Sequence, residues 1–245
     1  MRKLIFLALI LYSGSPASAN DHLLPEESIF AGTFGKEGLR YLAHRLGRMH
    51  DIHTFANVVV LPSFSRDYVV SFENREDDYL LVCMQTKISM GAYRELEWLE
   101  TGVLQYPTEE KTQKEIAELK ARLPTNIMDV EAEVVEIEID PLIGRKLYST
   151  WGRMLYDTHY PEPSEITPES HATFGPGYDG TYFHFSFFHN HTPLSGWIWD
   201  YPPEGRVAKL VAVTTSAKAA CEANSESAMQ QFTNSVETLA KAVAE

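Results

Sequence analysis

DYVVSFENREDDYLLVCMQTK, residues 67–87, decides the fold. Asp67 to Phe72 and Tyr79 to Lys87 are apolar patterns rich in β-branched and aromatic residues, as strands require. The polar run Glu73-Asn74-Arg75-Glu76-Asp77-Asp78 between them reads as the turn of a hairpin. Strands joined by so short a connection run antiparallel, because a parallel pair needs a long crossover.

Toward the N-terminus, Asn57 to Leu61 is a further apolar strand, preceded by Leu39, Leu42, Ala43, Leu46 and Met49 at helical spacing. Toward the C-terminus, Thr108 is placed to cap a helix that runs through Leu123 and stops at Pro124. That helix carries Glu110 with Lys114 and Glu118 with Arg122 at the favourable four-residue spacing. From Val130 to Ile139 apolar residues alternate with Glu131, Glu133, Glu136 and Glu138, and the phase slips at Val134-Val135. A bulge there would keep both halves of the strand facing a core.

Asp140 followed by Pro141 is a strong helix start, and Ile143, Leu147, Trp151, Met154 and Leu155 make one apolar stripe. Residues 159–180 hold several prolines and glycines without periodicity and read as a long loop. A strand follows from Thr181 to Phe188, then a turn around His191 to Gly196, then a strand through Trp197 and Trp199 that ends at Pro202-Pro203. Helices run from about Glu204 to Ala223 and from Ser227 onward, the second with Met229, Phe232, Val236, Leu239 and Val243 in near-heptad spacing. Strands grouped in sequence and interrupted by helices specify an α+β fold: a largely antiparallel sheet, helices packed on one face, and two C-terminal helices.

Arg2 and Lys3 precede the apolar run Leu4 to Tyr12, and Ala17-Ser18-Ala19 supplies small residues, so residues 1–19 read as a secretory signal peptide cleaved after Ala19. The apolar run is too short to span a bilayer, and no cysteine follows the cleavage point to carry a lipid. The expected address is the periplasm or the exterior, with no membrane anchor. Residues 20–245 are long enough for a single α+β domain or for two closely packed subdomains divided near 125–160.

Loss of Arg2 and Lys3 leaves 19 basic against 34 acidic side chains, a formal charge of −15. Such a balance disfavours nucleic acid and anionic lipid and speeds encounter with a cationic partner; its plainer use is solubility. Cys83 and Cys221 are the only cysteines, and in an exported protein two cysteines read as one disulfide. Cys83 lies in a strand pattern and Cys221 shares a helical face with Val207, Leu210, Val211, Thr214 and Ala217, so both point inward. Closing so long a loop contributes roughly 4 kcal/mol in the loop-entropy view.

Ten of the 28 aromatic residues fall between Phe174 and Tyr201, which marks that segment for scrutiny. Alternation puts Tyr182, His184, Ser186 and Phe188 on one strand face and Phe183, Phe185 and Phe187 on the other. The all-Phe face is core. The mixed face, with Trp197 or Trp199 from the neighbouring strand, is either a second hydrophobic layer or a binding surface with hydrogen-bonding tips. Tyr182, His184, Trp197 and Trp199 are therefore the candidate binding residues.

His184, His189 and His191 invite a metal reading, with His159 and Asp157 to complete a set, but His184 has the opposite strand parity, which leaves His189, His191, His159 and Asp157 as the candidates. Their spacing matches no established ligand pattern, and turn histidines account for them more simply. The string His189-Asn190-His191 is not the nuclease signature of similar spelling, whose residues are dispersed over a ββα unit. No nucleophile elbow, phosphate loop or dinucleotide fingerprint occurs, so no cofactor is expected; Ser195 is an ordinary turn serine, and the four glutamates of 131–138 alternate as a solvated face does.

Three functional classes remain. The first is a non-catalytic periplasmic binding protein, of the inhibitor or immunity type, whose acidic surface meets a cationic protein. The second is a binder of small ligands or glycans through the aromatic strand face. The third is a metal- or carboxylate-dependent hydrolase.

Overall fold

The computed structural model describes residues 23–25, 53–62, 65–76, 78–89, 91–102, 104, 108–126, 129–158, 180–189, 192–199 and 204–244. The signal segment, the helical pattern around Leu39 to Met49, and the loop 159–179 lie outside the described residues.

The elements in chain order are β1 (Leu24–Pro25), β2 (Thr54–Pro62), β3 (Tyr68–Arg75), β4 (Asp78–Thr86), α1 (Gly91–Glu100), α2 (Glu109–Arg122), β5 (Ala132–Ile139), α3 (Pro141–Tyr156), β6 (Thr181–His189), β7 (Thr192–Trp199), α4 (Gly205–Ala223) and α5 (Glu226–Ala244). The strands form one sheet in the order β1-β7-β6-β2-β3-β4-β5, and every neighbouring pair is antiparallel. The fold is α+β, with α3, α4 and α5 packed on one face of that sheet.

The hairpin expected at 67–87 is β3–β4, with Tyr68 opposite Gln85 and Arg75 opposite Asp78. Its turn is tighter than the polar run suggests, because both strands extend into that run, and Glu76 takes a left-handed φ of 65° at the corner. The core face carries Val58, Val60, Val70, Phe72, Leu81, Phe183, Phe185 and Phe187, all buried. Trp151 of α3 packs edge-on against both Phe72 and Phe185, at centroid distances of 5.3 and 5.6 Å. Its indole N–H donates to the Ser186 carbonyl at 3.1 Å, so the buried polar atom is satisfied. Phe232 of α5 stacks on Phe72 at 6.1 Å, which brings the second C-terminal helix into the same core.

Helix α3 starts as its sequence dictates: the Asp140 carboxylate accepts the Leu142 amide at 2.7 Å, with Pro141 at the first helical position. Its stripe of Ile143, Leu147, Trp151, Met154 and Leu155 is buried throughout. Gly144 lets the helix lie against β4, since a Cβ there would come within 2.2 Å of the Tyr79 ring. Helix α4 ends at Asn224, whose left-handed φ of 42° turns the chain into α5. The two cysteine sulfurs lie at 2.05 Å with Cα atoms 6.2 Å apart, a disulfide that fastens β4 to α4 across the core.

Thr108 caps α2 by accepting the Lys111 amide at 3.2 Å, as its position implies. The expected pairs differ: Lys114 faces Glu118 at 3.7 Å, and Lys120 reaches Glu100 of α1 at 2.5 Å. Helix α1 has no counterpart in the sequence reading; Ala92 and Leu99 pack with Leu119 and Leu123 of the α2 region in a small cluster of their own.

The bulge expected at Val134-Val135 is absent. β5 pairs with β4 in unbroken register from Ala132 opposite Thr86 to Ile139 opposite Tyr79. The reason is position: β5 is the outermost of the described strands, so nothing forces both halves toward a core, and Val134 and Val135 stay 47% and 38% exposed. An irregularity falls instead between Thr54 and Ala56 of β2, where Phe55 and Ala56 both join the core.

Candidate functional site

Alternation along β6 assigns its side chains as the sequence implies, and register supplies what the sequence lacks. Tyr182 lies opposite Trp199, and His184 opposite Trp197 on one side and Val59 on the other. Tyr182, His184 and Trp197 therefore share the sheet face opposite α3, α4 and α5. They are only 4%, 5% and 4% exposed, and the Tyr182 and Trp197 rings sit 5.8 Å apart in a tilted pair. The Trp199 backbone belongs to β7, and its side chain lies outside the described residues. Tyr182, His184 and Trp197 come together as a buried layer.

Next to this layer the same face carries a polar row that sequence reasoning missed. Ser195, Ser186, Asn57 and Ser71 are in register across β7, β6, β2 and β3. Asn57, Ser186 and Ser71 are essentially fully buried. Neither side-chain atom of Asn57 has a hydrogen-bond partner among the described residues, nor has the Ser186 hydroxyl or that of Thr54 nearby on β2. Each such atom costs about 1–3 kcal/mol unless water or a ligand meets it. The one available signal was parity: Asn57 and Val59 fall on the face opposite Val58 and Val60.

Beyond the row, Glu73 of β3 is completely buried and accepts from Arg75 Nε at 2.9 Å and Nη2 at 2.7 Å. Arg75 also donates to both carboxylate oxygens of Glu136 on β5 at 3.3 Å. Hydrogen bonding to Glu136 first, and to Glu73 second, holds the guanidinium above its ordinary range. An ionic chain thus runs from the buried face to the outer strand. Just before that strand Glu131 accepts from Lys87, a bond that holds the carboxyl below the usual carboxylate range. Glu133 and Glu138 form no salt bridge with a described residue, and Glu131, Glu133, Glu136 and Glu138 are exposed.

The metal candidates do not assemble among the described residues. Asp157 ends α3 and is held by Arg206 at 2.8 Å. His189 ends β6, with its side chain outside the described residues, as are His159 and His191 altogether. No group of three or more potential ligands occurs among the described residues. Ser195 is half-buried in β7 opposite Ser186, in a strand rather than the expected turn.

A groove of about 220 Å³ lies along α3 where it meets β6, lined by Tyr148, Ser149, Gly152, Arg153, Tyr156 and Phe187. Gly152 makes room for the Phe187 ring, which would stand 2.7 Å from an added Cβ. Burial first, then the neighbouring Tyr156 and Tyr79, pushes the Tyr148 phenol up. No described helix is long and apolar enough to cross a membrane. Compared with known proteins, the chain matches no family model, no curated protein and no solved structure.

Proposed function

We propose that this chain is an exported, non-catalytic binding protein whose acidic surface meets a cationic protein partner. The observation that carries the reading is the outer strand, where Val134 and Val135 stand exposed among Glu131, Glu133, Glu136 and Glu138. Exposed apolar residues beside carboxylates of one sign offer a partner both contact area and a field that steers basic surfaces toward it. The formal charge of −13 for the whole chain acts in the same direction. Co-purification from periplasm, followed by association kinetics with the recovered partner, tests the reading. The expected partner is basic, with an association rate that falls steeply from low to physiological salt; an acidic partner, or a rate indifferent to salt, contradicts it.

A second reading, a binder of a small polar ligand, is favoured by the unpartnered Asn57 amide and the Ser186 and Thr54 hydroxyls. Their arrangement suits a molecule that both donates and accepts hydrogen bonds beside the Tyr182, His184 and Trp197 layer. Native mass spectrometry of gently purified protein should then show an adduct that Asn57→Val abolishes. A bare mass from wild-type protein counts against this second reading.

A further inference from the structure

We propose that the outer edge of β5 receives a basic, extended segment of the partner as an additional strand. This rests on the cationic-partner reading and adds the surface and the mode of attachment. The main-chain geometry comes first. The Lys87 amide donates to the Glu131 carbonyl at 2.8 Å, and on the other side of β4 the Thr86 amide donates to the Asp67 carbonyl at 3.0 Å. Bonded and non-bonded pairs alternate along an antiparallel ladder. With Thr86 opposite Ala132 and the register unbroken, Glu133, Val135, Ile137 and Ile139 turn their amides toward β4. Ala132, Val134, Glu136 and Glu138 turn theirs outward, and among the described residues no strand lies beyond β5 on that side of the sheet.

Long, flat edges of this kind are usually blunted by proline, bulges or lysine. β5 has no proline, no bulge and no lysine; its charges are all negative. Both faces beside the edge offer the same mixture, Val134, Glu136 and Glu138 on one and Glu133, Val135 and Ile137 on the other. The matching segment alternates apolar residues with Lys or Arg, so that main-chain bonds give affinity and carboxylates select the sign of charge. A second copy fits worse, because it would lay another strand whose charges are all negative along this edge, whereas a basic segment neutralises it.

The test uses the full chain and two synthetic octapeptides of equal charge, one alternating Lys with Val and the other the same sequence with every backbone amide N-methylated. The methylated peptide has no main-chain N–H to donate from either edge. The Lys-Val peptide should bind at least tenfold more tightly than its methylated copy. Val134→Pro, which removes an outward amide, should weaken Lys-Val binding at least tenfold without a large change in melting temperature, and Ala132→Pro should repeat the effect at a second outward position. Equal, salt-sensitive binding of both peptides overturns strand addition and leaves the cationic-partner reading standing. Salt-insensitive binding of the Lys-Val peptide counts against the cationic reading and leaves strand addition standing. Binding of neither peptide, or wild-type dimers that Val134→Pro dissociates, overturns the proposal.

Discussion

β6 and β5 have nearly the same sequence rhythm and opposite fates. β6 alternates Phe183, Phe185 and Phe187 with Tyr182, His184 and Ser186, and all six are buried. β5 alternates Val135, Ile137 and Ile139 with Glu136 and Glu138, and it sits at the sheet edge with both valines exposed. Alternation reports a strand; the type of polar residue reports where the strand lies. Hydroxyls, amides and imidazoles can be buried at moderate cost, whereas a run of carboxylates is confined to the edge unless each meets a cation. Glu73 confirms the rule from the inside: it is the buried glutamate of the neighbouring hairpin, and Arg75 is bonded to it twice.

The comparison breaks first on truncation. Phe185→Ala should cost about 4 kcal/mol of folding free energy, because it opens a cavity beneath Trp151. Val135→Ala should cost about 1 kcal/mol or less, since its side chain is already partly in water. Denaturant melts of the two variants decide; equal losses would mean that β5 is packed as β6 is.

Asn57→Val sharpens the contrast from the polar side, with a smaller effect of opposite sign. The amide it removes has no partner among the described residues, so the variant should gain about 1 kcal/mol. A loss of about 2 kcal/mol or more would show that Asn57 holds a structural water or ligand, which moves weight to the small-ligand reading.

Much of the fold was legible where local chemistry leaves one solution. The β3–β4 hairpin, the Asp140-Pro141 helix start and the α3 stripe follow from side-chain type and spacing, and the Cys83–Cys221 bond was expected from two inward-facing cysteines in a chain read as exported. The expected bulge failed because the phase slip at Val134-Val135 matters only for a strand with a face to bury, and position in the sheet is not written locally. Helix α1 was missed because Ala92 and Leu99 bury against another helix, leaving too sparse a stripe to detect. Of the candidate site, the shared face of Tyr182 and His184 was readable from parity alone. Its alignment with Trp197, its burial, and the row through Asn57 depend on register between strands more than a hundred residues apart, which no spacing within either strand encodes.

Residue-resolved amide exchange along β5, with and without the Lys-Val peptide, tests most directly whether its outer edge is an open binding element. Alone, Val134, Glu136 and Glu138 should exchange fast while Val135 and Ile137 are protected, because only the latter amides bond to β4. Added peptide should slow exchange at Val134, Glu136 and Glu138 by at least tenfold and leave Val135 and Ile137 as they were. Protection of all five amides before any peptide is added, or binding that leaves the outward amides unprotected, would contradict an open edge that pairs by strand addition.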